Sequence, residues 1–277
     1  MLPAYQAVLD GDCSYRGTSA SLLPDPIGVG AVGGSGTRLL LQILSQAGVA
    51  MASPLNEAGD AYEWPPWQKL LSPTMLAKHG RDTLLPNILH AFEGLLLARR
   101  ENLGLAGRAG WKVPGTFHWL AELADFFPGF QYLHLVRNGM DMAYSGNQNQ
   151  VKNWGPSLGV ELRYVEDDSV APQVMLEYWL RANERAREVA AERMNGRMLV
   201  IRFEDLCEEP RQEIARILGF LAIPAGESEL DRLAGLVKSP SSVGRYRQKP
   251  WQDDFSSAQL ERLAALGYVD HGLSPAV

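Results

Sequence analysis

The stretch "GAVGGSGTRLLLQIL", residues 30 to 44, joins a short β-prone run to a helix through a cluster of glycines. Backbone N–H groups at a helix start lack intrahelical partners and carry the positive end of the helix dipole. Glycines let that backbone curl around an anion without side-chain obstruction. A triphosphate loop, G-x-x-x-x-G-K-[ST], adds a lysine for the terminal phosphates and a hydroxyl for magnesium. With Gly36 as the second glycine, Ala31 replaces the first, Thr37 the lysine and Arg38 the hydroxyl residue. Both cation-handling parts are changed, so the loop suits a phosphate-bearing ligand with less terminal charge and no required metal. Read alone, the same glycines also fit a turn that merely starts a helix.

Other chemistry-bearing residues follow apolar runs. Lys112 comes after "RAGW", Arg137 after "FQYLHLV" and Glu204 after "RMLVIRF". Such runs read as buried strands, and ligands of open α/β sheets sit beyond strand carboxyl ends. Late in the chain, "KSPSSVGRYRQ" places Arg245 and Arg247 in a basic loop, an arrangement that suits clamping an anion or, equally, a solvated turn. Glu204 and Asp205 in "VIRFEDL" read as structural, holding loops or capping the next helix.

The elements that must position these residues alternate strand and helix. "PIGVGAV", "RAGWKVP", "FQYLHLVR" and "RMLVIRFEDL" are the expected strands, the last being the fourth. Helices are expected over "RLLLQILSQAGV", "TLLPNILHAFEGLLLARRENLG" (entered at its proline), "NGMDMAYSGNQ", "APQVMLEYWLRANERAREVAAERM", "EPRQEIARILGFLAIP", "ESELDRLAGLV" and "SSAQLERLAALGYV". Another runs to Phe127, with Thr116 as its cap. This alternation implies an α/β fold: a mainly parallel sheet with helices on both faces. One domain is expected over residues 1 to 277, with its core at 26 to 250 and the polar stretch from Gly17 to Ser21 wrapping around it. Residues 146 to 172 show no sustained period and read as a lid or acceptor-binding loop.

Composition narrows the function. The chain has 277 residues with formal net charge −6, and a general nucleic-acid binder normally presents a basic face. Cys13 and Cys207 are the only cysteines, without CxxC spacing, so neither a disulfide framework nor a zinc site follows. No basic-then-apolar leader opens the sequence, and no apolar run reaches the roughly 18 residues of a membrane span. The expected compartment is the cytoplasm.

Taken together, the loop, "LHLVRNGMDMAYS", "MLVIRFEDLCEEPRQEIARILGFLAIP" and "SVGRYRQ" resemble the sulfotransferase family over roughly residues 27 to 250. The resemblance implies a P-loop-NTPase-like fold and the donor co-substrate 3′-phosphoadenosine 5′-phosphosulfate (PAPS), with no metal. It implies that Gly33, Gly34, Ser35, Gly36, Thr37 and Arg38 grip the 5′-phosphosulfate. Arg137, and Ser145 two turns along the next helix, would bind the 3′-phosphate, with Gly244 and Arg245 closing over it and Arg247 nearby. The family usually has lysine or arginine where this chain has Gly34, so Arg38 and Lys112 are the candidate cations for the leaving group. Lys112 matches the family's K-x-P lysine.

Glycosaminoglycan-type members carry a catalytic glutamate some eighteen residues after the loop arginine. One residue beyond that count stands Glu57, the expected base, with Asp60, Glu63 and His118 as rivals. The histidine that cytosolic members place two residues after their lysine is Pro114 here, so that mechanism does not transfer. The expected acceptor is a hydroxyl of a carbohydrate or small molecule, with Trp64, Trp67 and Trp154 suiting either a ring or core packing. Two other readings stay open: a P-loop kinase of a small metabolite, and a non-catalytic nucleotide-binding protein of the same fold.

Overall fold

The computed structural model describes residues 1–11, 22–23, 25–52, 54–105 and 107–268. Cys13 and the stretch from Gly17 to Ser21 lie outside the described residues. Five strands form one sheet among the described residues, in the order β2-β3-β1-β4-β5. They are β1 (Ile27–Ala31), β2 (Ala50–Met51), β3 (Ala109–Lys112), β4 (Gln131–Val136) and β5 (Met198–Arg202). Strand β3 runs parallel to β1, with Val29 opposite Lys112, and parallel to β2 on its other side. The chain has the mostly parallel α/β architecture that alternating strands and helices dictate. The run "RMLVIRFEDL" supplies the fifth strand, not the fourth. The extra one is β2, two residues long and too short to carry a period.

Two compact units divide the chain. The first comprises Met1–Gly30, Arg38–Leu133 and Val189–Leu199. Its core is aromatic: Trp111 stacks on Phe130 with centroids 5.3 Å apart, and Trp67 stacks on Trp119 at 4.1 Å. Trp64 meets Trp67, Phe92 and Trp111 at 5.6 to 6.1 Å, so the tryptophans at 64 and 67 pack the core. The long helix starts at Arg81 and runs to Asn102, with Pro86 inside it and not at its entrance. There the proline forfeits a single i→i−4 bond. Thr116 is not a helix cap. It lies inside a 3₁₀ turn, Pro114–Trp119, donating to the Val113 carbonyl and accepting from Trp111 Nε1, and the α-helix begins only at Leu120.

The second unit comprises Ala31–Thr37, His134–Glu188 and Val200–Val277. Its helices Pro210–Phe220 and Glu227–Ala234, and the helix Pro172–Arg193 that lies in it as far as Glu188, follow the apolar periodicity of the sequence. Residues 251–268 belong to it. Helix Ser257–Ala265 is opened by a Ser256–Gln259 capping box, and its Arg262 pairs with Glu177 at 2.8 Å and Glu184 at 2.6 Å. Residues 146 to 172 carry short helical pieces, Asn149–Trp154 and Pro156–Leu158, and a bridge between Tyr164 and Val170.

His134 in β4 is fully buried, its Nε2 2.8 Å from Asn183 Oδ1, and burial pushes its pKa down from 6.5 to about 4. Between those values the unfolded chain binds a proton that the folded chain refuses, so stability falls as pH drops from 6.5 to about 4. The loss at the acid end is roughly 3 kcal/mol for this group. Melting temperature followed against pH should fall less steeply for His134→Gln; an identical acid slope would remove His134 from the acid response.

Candidate active site

In the first unit, a closed turn engages two cations. Asn56 accepts the Asp60 N–H at its side-chain oxygen and donates its own N–H to the Asp60 carbonyl, both at 2.9 Å. Leu55 and Ala61 bridge its base. The Ala58 carbonyl in the turn accepts Arg38 Nε at 3.0 Å and Lys112 Nζ at 3.3 Å. Lys112 ends β3, is 1% exposed and pairs with Asp60 Oδ1 at 2.5 Å. Arg38, Lys112 and Asp60 are thus brought together. Glu57 lies in the same turn, exposed, and no hydrogen bond or ion pair among the described residues holds its carboxylate. Glu63 is buried and its main-chain carbonyl takes the Tyr5 hydroxyl. His118 packs against Phe117 with centroids 4.0 Å apart, and burial lowers its pKa to about 4.

Burial lowers the Lys112 pKa from its ordinary value, while the Asp60 hydrogen bond and charge work in the opposite direction. Asp60→Asn removes the opposing contribution, so Lys112 should lose its proton at lower pH. The alkaline limb of a kcat–pH profile is expected to move to lower pH in that variant. A limb that stays put would mean that Lys112 does not govern it.

In the second unit, the glycine loop meets three other segments. Gly34 and Gly36 have φ of +92° and +95°, a region L side chains rarely adopt. A Cβ at Gly36 would stand 2.5 Å from the Phe203 ring, and one at Gly34 would stand 3.2 Å from Met142 Cε and 3.8 Å from Ser145 Oγ. No protein acceptor among the described residues takes the N–H of Gly34 or Gly36. Ser35 is different: its N–H and hydroxyl both point to the Val32 carbonyl, at 3.3 and 2.6 Å. Thr37 opens the following helix and is buried.

Arg137 follows β4 directly, and its guanidinium lies 5.3 Å from the centroid of the same Phe203 ring that covers Gly36. One nitrogen donates to Ser242 Oγ at 2.9 Å, while Nε is buried with no acceptor among the described residues. Arg245 raises the local positive potential, and its Nε donates to the Ser242 carbonyl. Ser145 is not on a helix as its spacing from Arg137 implied. The helix Gly139–Ala143 stops first, because Ser145, Gly146 and Asn147 are turn formers, and Ser145 sits in the turn beyond.

Sequence reasoning missed the groups that fasten these parts. Asp141 is 1% exposed and accepts the N–H of Gly244 at 2.7 Å and of Tyr246 at 3.2 Å, tying the late loop to the helix after Arg137. Its spacing from Arg137 signals at most their ion pair, 3.9 Å long, and not its hold on the late loop. Asn138 caps that helix through Met140 N–H and gives its own N–H to Glu204, which also receives the Tyr268 hydroxyl. The structural reading of Glu204 therefore holds. A cavity of about 400 Å³ opens beside the late loop. Asp141, Glu204, Asp205 and Glu208 line it with Arg202 and Arg247, and that excess of carboxylates makes it a poor seat for phosphate.

The described residues contain no helix long and apolar enough to cross a membrane, and no group of three or more His, Cys, Asp or Glu suited to a metal ion. No curated protein matches the sequence. Solved structures of similar fold include the sulfotransferase domain of the curacin biosynthetic pathway, 18% identical with a TM-score of 0.54, covering 89% of this chain and 99% of that one. The sulfotransferase domain of the Synechococcus PCC 7002 olefin synthase is 16% identical with a TM-score of 0.54, covering 89% and 96%. Sulfotransferase STF9 from Mycobacterium avium is 12% identical with a TM-score of 0.53, covering 94% and 78%. These share the P-loop-NTPase-like fold. The family model described as "Sulfotransferase family" matches residues 26–227, and the chain belongs to that family.

Proposed function

We propose that this chain transfers a sulfuryl group from PAPS to a hydroxyl of a small-molecule or carbohydrate acceptor by direct in-line displacement. The observation that carries the reading is the shared Phe203 ring, which covers Gly36 on the anion loop and lies under the Arg137 guanidinium. An adenosine bearing phosphate groups at both ends needs an N–H cradle and a guanidinium fork at separate points. The fit extends to atoms: the N–H groups of Gly34 and Gly36 and Nε of Arg137 all lack protein acceptors among the described residues.

In this reading the loop from Gly33 to Thr37 holds the 5′ end, Arg137 and Ser145 hold the 3′-phosphate, and the late loop closes over it with Gly244 at its turn and Arg245 as a further cation. Glu57 takes the acceptor hydroxyl proton as the oxygen attacks sulfur. Asp60 is committed to Lys112, which leaves the free Glu57 carboxylate as the base and makes Asp60 a positioning group for the lysine. The donor supplies the sulfuryl group, and the electron pair of its broken S–O bond stays on the departing 5′-phosphate. Arg38 and Lys112 are the cations assigned to stabilising that growing charge. The transferred group carries less charge than a γ-phosphoryl, so the residues present suffice without a metal.

Calorimetry with adenosine 3′,5′-bisphosphate against ATP plus magnesium tests the reading, followed by an acceptor screen with labelled donor. Binding of the bisphosphate alone, with label transferred to a hydroxyl compound, is the expected result. Preference for ATP plus magnesium would favour the kinase reading, and donor binding without transfer to any hydroxyl the non-catalytic one.

A further inference from the structure

We infer that Gln150 is a catalytic residue, a neutral donor to the transferring sulfuryl group that serves where the loop has no cation of its own. The inference rests on the sulfuryl-transfer reading above and adds a residue that neither the motifs nor the family match assigns.

Its warrant is the geometry around Gly33 and Gly34, all within the second unit. Gln150 lies on the helix Asn149–Trp154, near the start of the long connection from 146 to 172. Its Oε1 accepts the Gly33 N–H at 2.7 Å and the Tyr178 hydroxyl at 3.3 Å. Two donors on one oxygen fix the amide plane and its orientation. The plane lies against the loop: a Cβ built on Gly33 would stand 3.1 Å from Gln150 Cδ and 3.4 Å from Nε2. With Oε1 doubly occupied, Nε2 carries two N–H groups that no described acceptor takes.

The next loop residue cannot supply a side chain. Gly34 has φ +92°, and a Cβ there would press on Met142 Cε at 3.2 Å. Around that bare backbone stand neutral polar groups, Ser145 Oγ and Asn147 Nδ2, each 3.8 Å from the same point. Between Gly33 and Thr37 the chain has no cationic side chain. An oriented amide next to a fixed N–H cradle is the preorganised neutral donor that a developing anion rewards, because it needs no reorganisation at the moment of reaction. A Cβ at Gly33 would press on the amide, which would have to give by a few tenths of an ångström.

The experiment compares wild type, Gln150→Ala and Gln150→Glu in the full chain, reading kcat, bisphosphate Kd and melting temperature. Gln150→Ala is expected to lower kcat about 10-fold, the size of one neutral hydrogen bond. Bisphosphate Kd should change by less than about twofold, because that product lacks the sulfuryl group. Gln150→Glu keeps an acceptor for the Gly33 N–H but puts an anionic oxygen where Nε2 stood. Relative to wild type at the same pH, its kcat should be about 30-fold lower at neutral and alkaline pH, and the ratio should return toward one as the introduced carboxyl protonates. Bound bisphosphate and wild-type kcat in both variants would overturn the inference alone. So would a loss in Gln150→Glu, relative to wild type, that ignores pH, or in Gln150→Ala a rise in bisphosphate Kd that matches the loss of kcat, since either marks a merely structural role. Failure of the wild type to bind bisphosphate would instead overturn the function on which the inference rests.

Discussion

Glu57→Gln is expected to lower kcat about 1000-fold, the middle of the range for losing a positioned general base. The glutamine keeps the size and polarity of the side chain but cannot accept the hydroxyl proton. Bisphosphate affinity should stay unchanged, because Glu57 has no assigned contact with the nucleotide. Folding should also be unaffected, since the exposed carboxylate makes no hydrogen bond or ion pair among the described residues. Asp60→Asn is the informative companion. Asp60 holds Lys112, so its loss should alter the pH profile more than the plateau rate. Pre-steady-state measurement of the transfer step separates the two. If Glu57→Gln turns over like wild type while Asp60→Asn loses the chemical step, the base is Asp60 and Glu57 is a surface carboxylate.

The parts of this molecule that were legible in its sequence are those written in local pattern. Apolar runs ending in a charge gave β3 with Lys112 and β4 with Arg137, because buried strands read as near-continuous apolar runs and the charge marks where the run stops. Glycines before a helix gave the loop, and the positive φ at Gly34 and Gly36 shows why no other residues stand there. Local pattern failed where competing local signals were close in strength. The run "NGMDMAYSGNQ" reads as a helix that would carry Ser145, yet the helix stops at Ala143 ahead of the turn formers Ser145, Gly146 and Asn147. Nothing local announces Gln150 or Asp141 as partners of the loops they hold, because those contacts join residues 117 and 103 positions apart. Residue type alone could not divide the tryptophans between ring binding and core packing, and Trp64 and Trp67 each pack against aromatic surface in their own unit.

Arg137→Ala should weaken bisphosphate binding about 100-fold, the cost of removing a charge-assisted fork from a phosphate. Arg137 is 4% exposed, so burial already lowers its pKa from the ordinary arginine value, with Asp141 working against that shift. A group held charged in such surroundings gains strongly from an incoming phosphate, as its unpartnered Nε implies. Arg137→Lys keeps the charge and loses the fork, so it should recover only part of the affinity, about tenfold short of wild type. Adenosine 5′-phosphate, which lacks the 3′ group, provides the control: its affinity should be nearly the same in all three proteins. Asp141 complicates the alanine variant, since that carboxylate keeps the Gly244 and Tyr246 N–H groups but loses its nearest guanidinium, 3.9 Å away. A fall in melting temperature is therefore expected alongside the loss of binding, and the lysine variant should show less of it. Equal loss of affinity for both nucleotides would place Arg137 outside the 3′-phosphate site and make it a structural prop for the late loop.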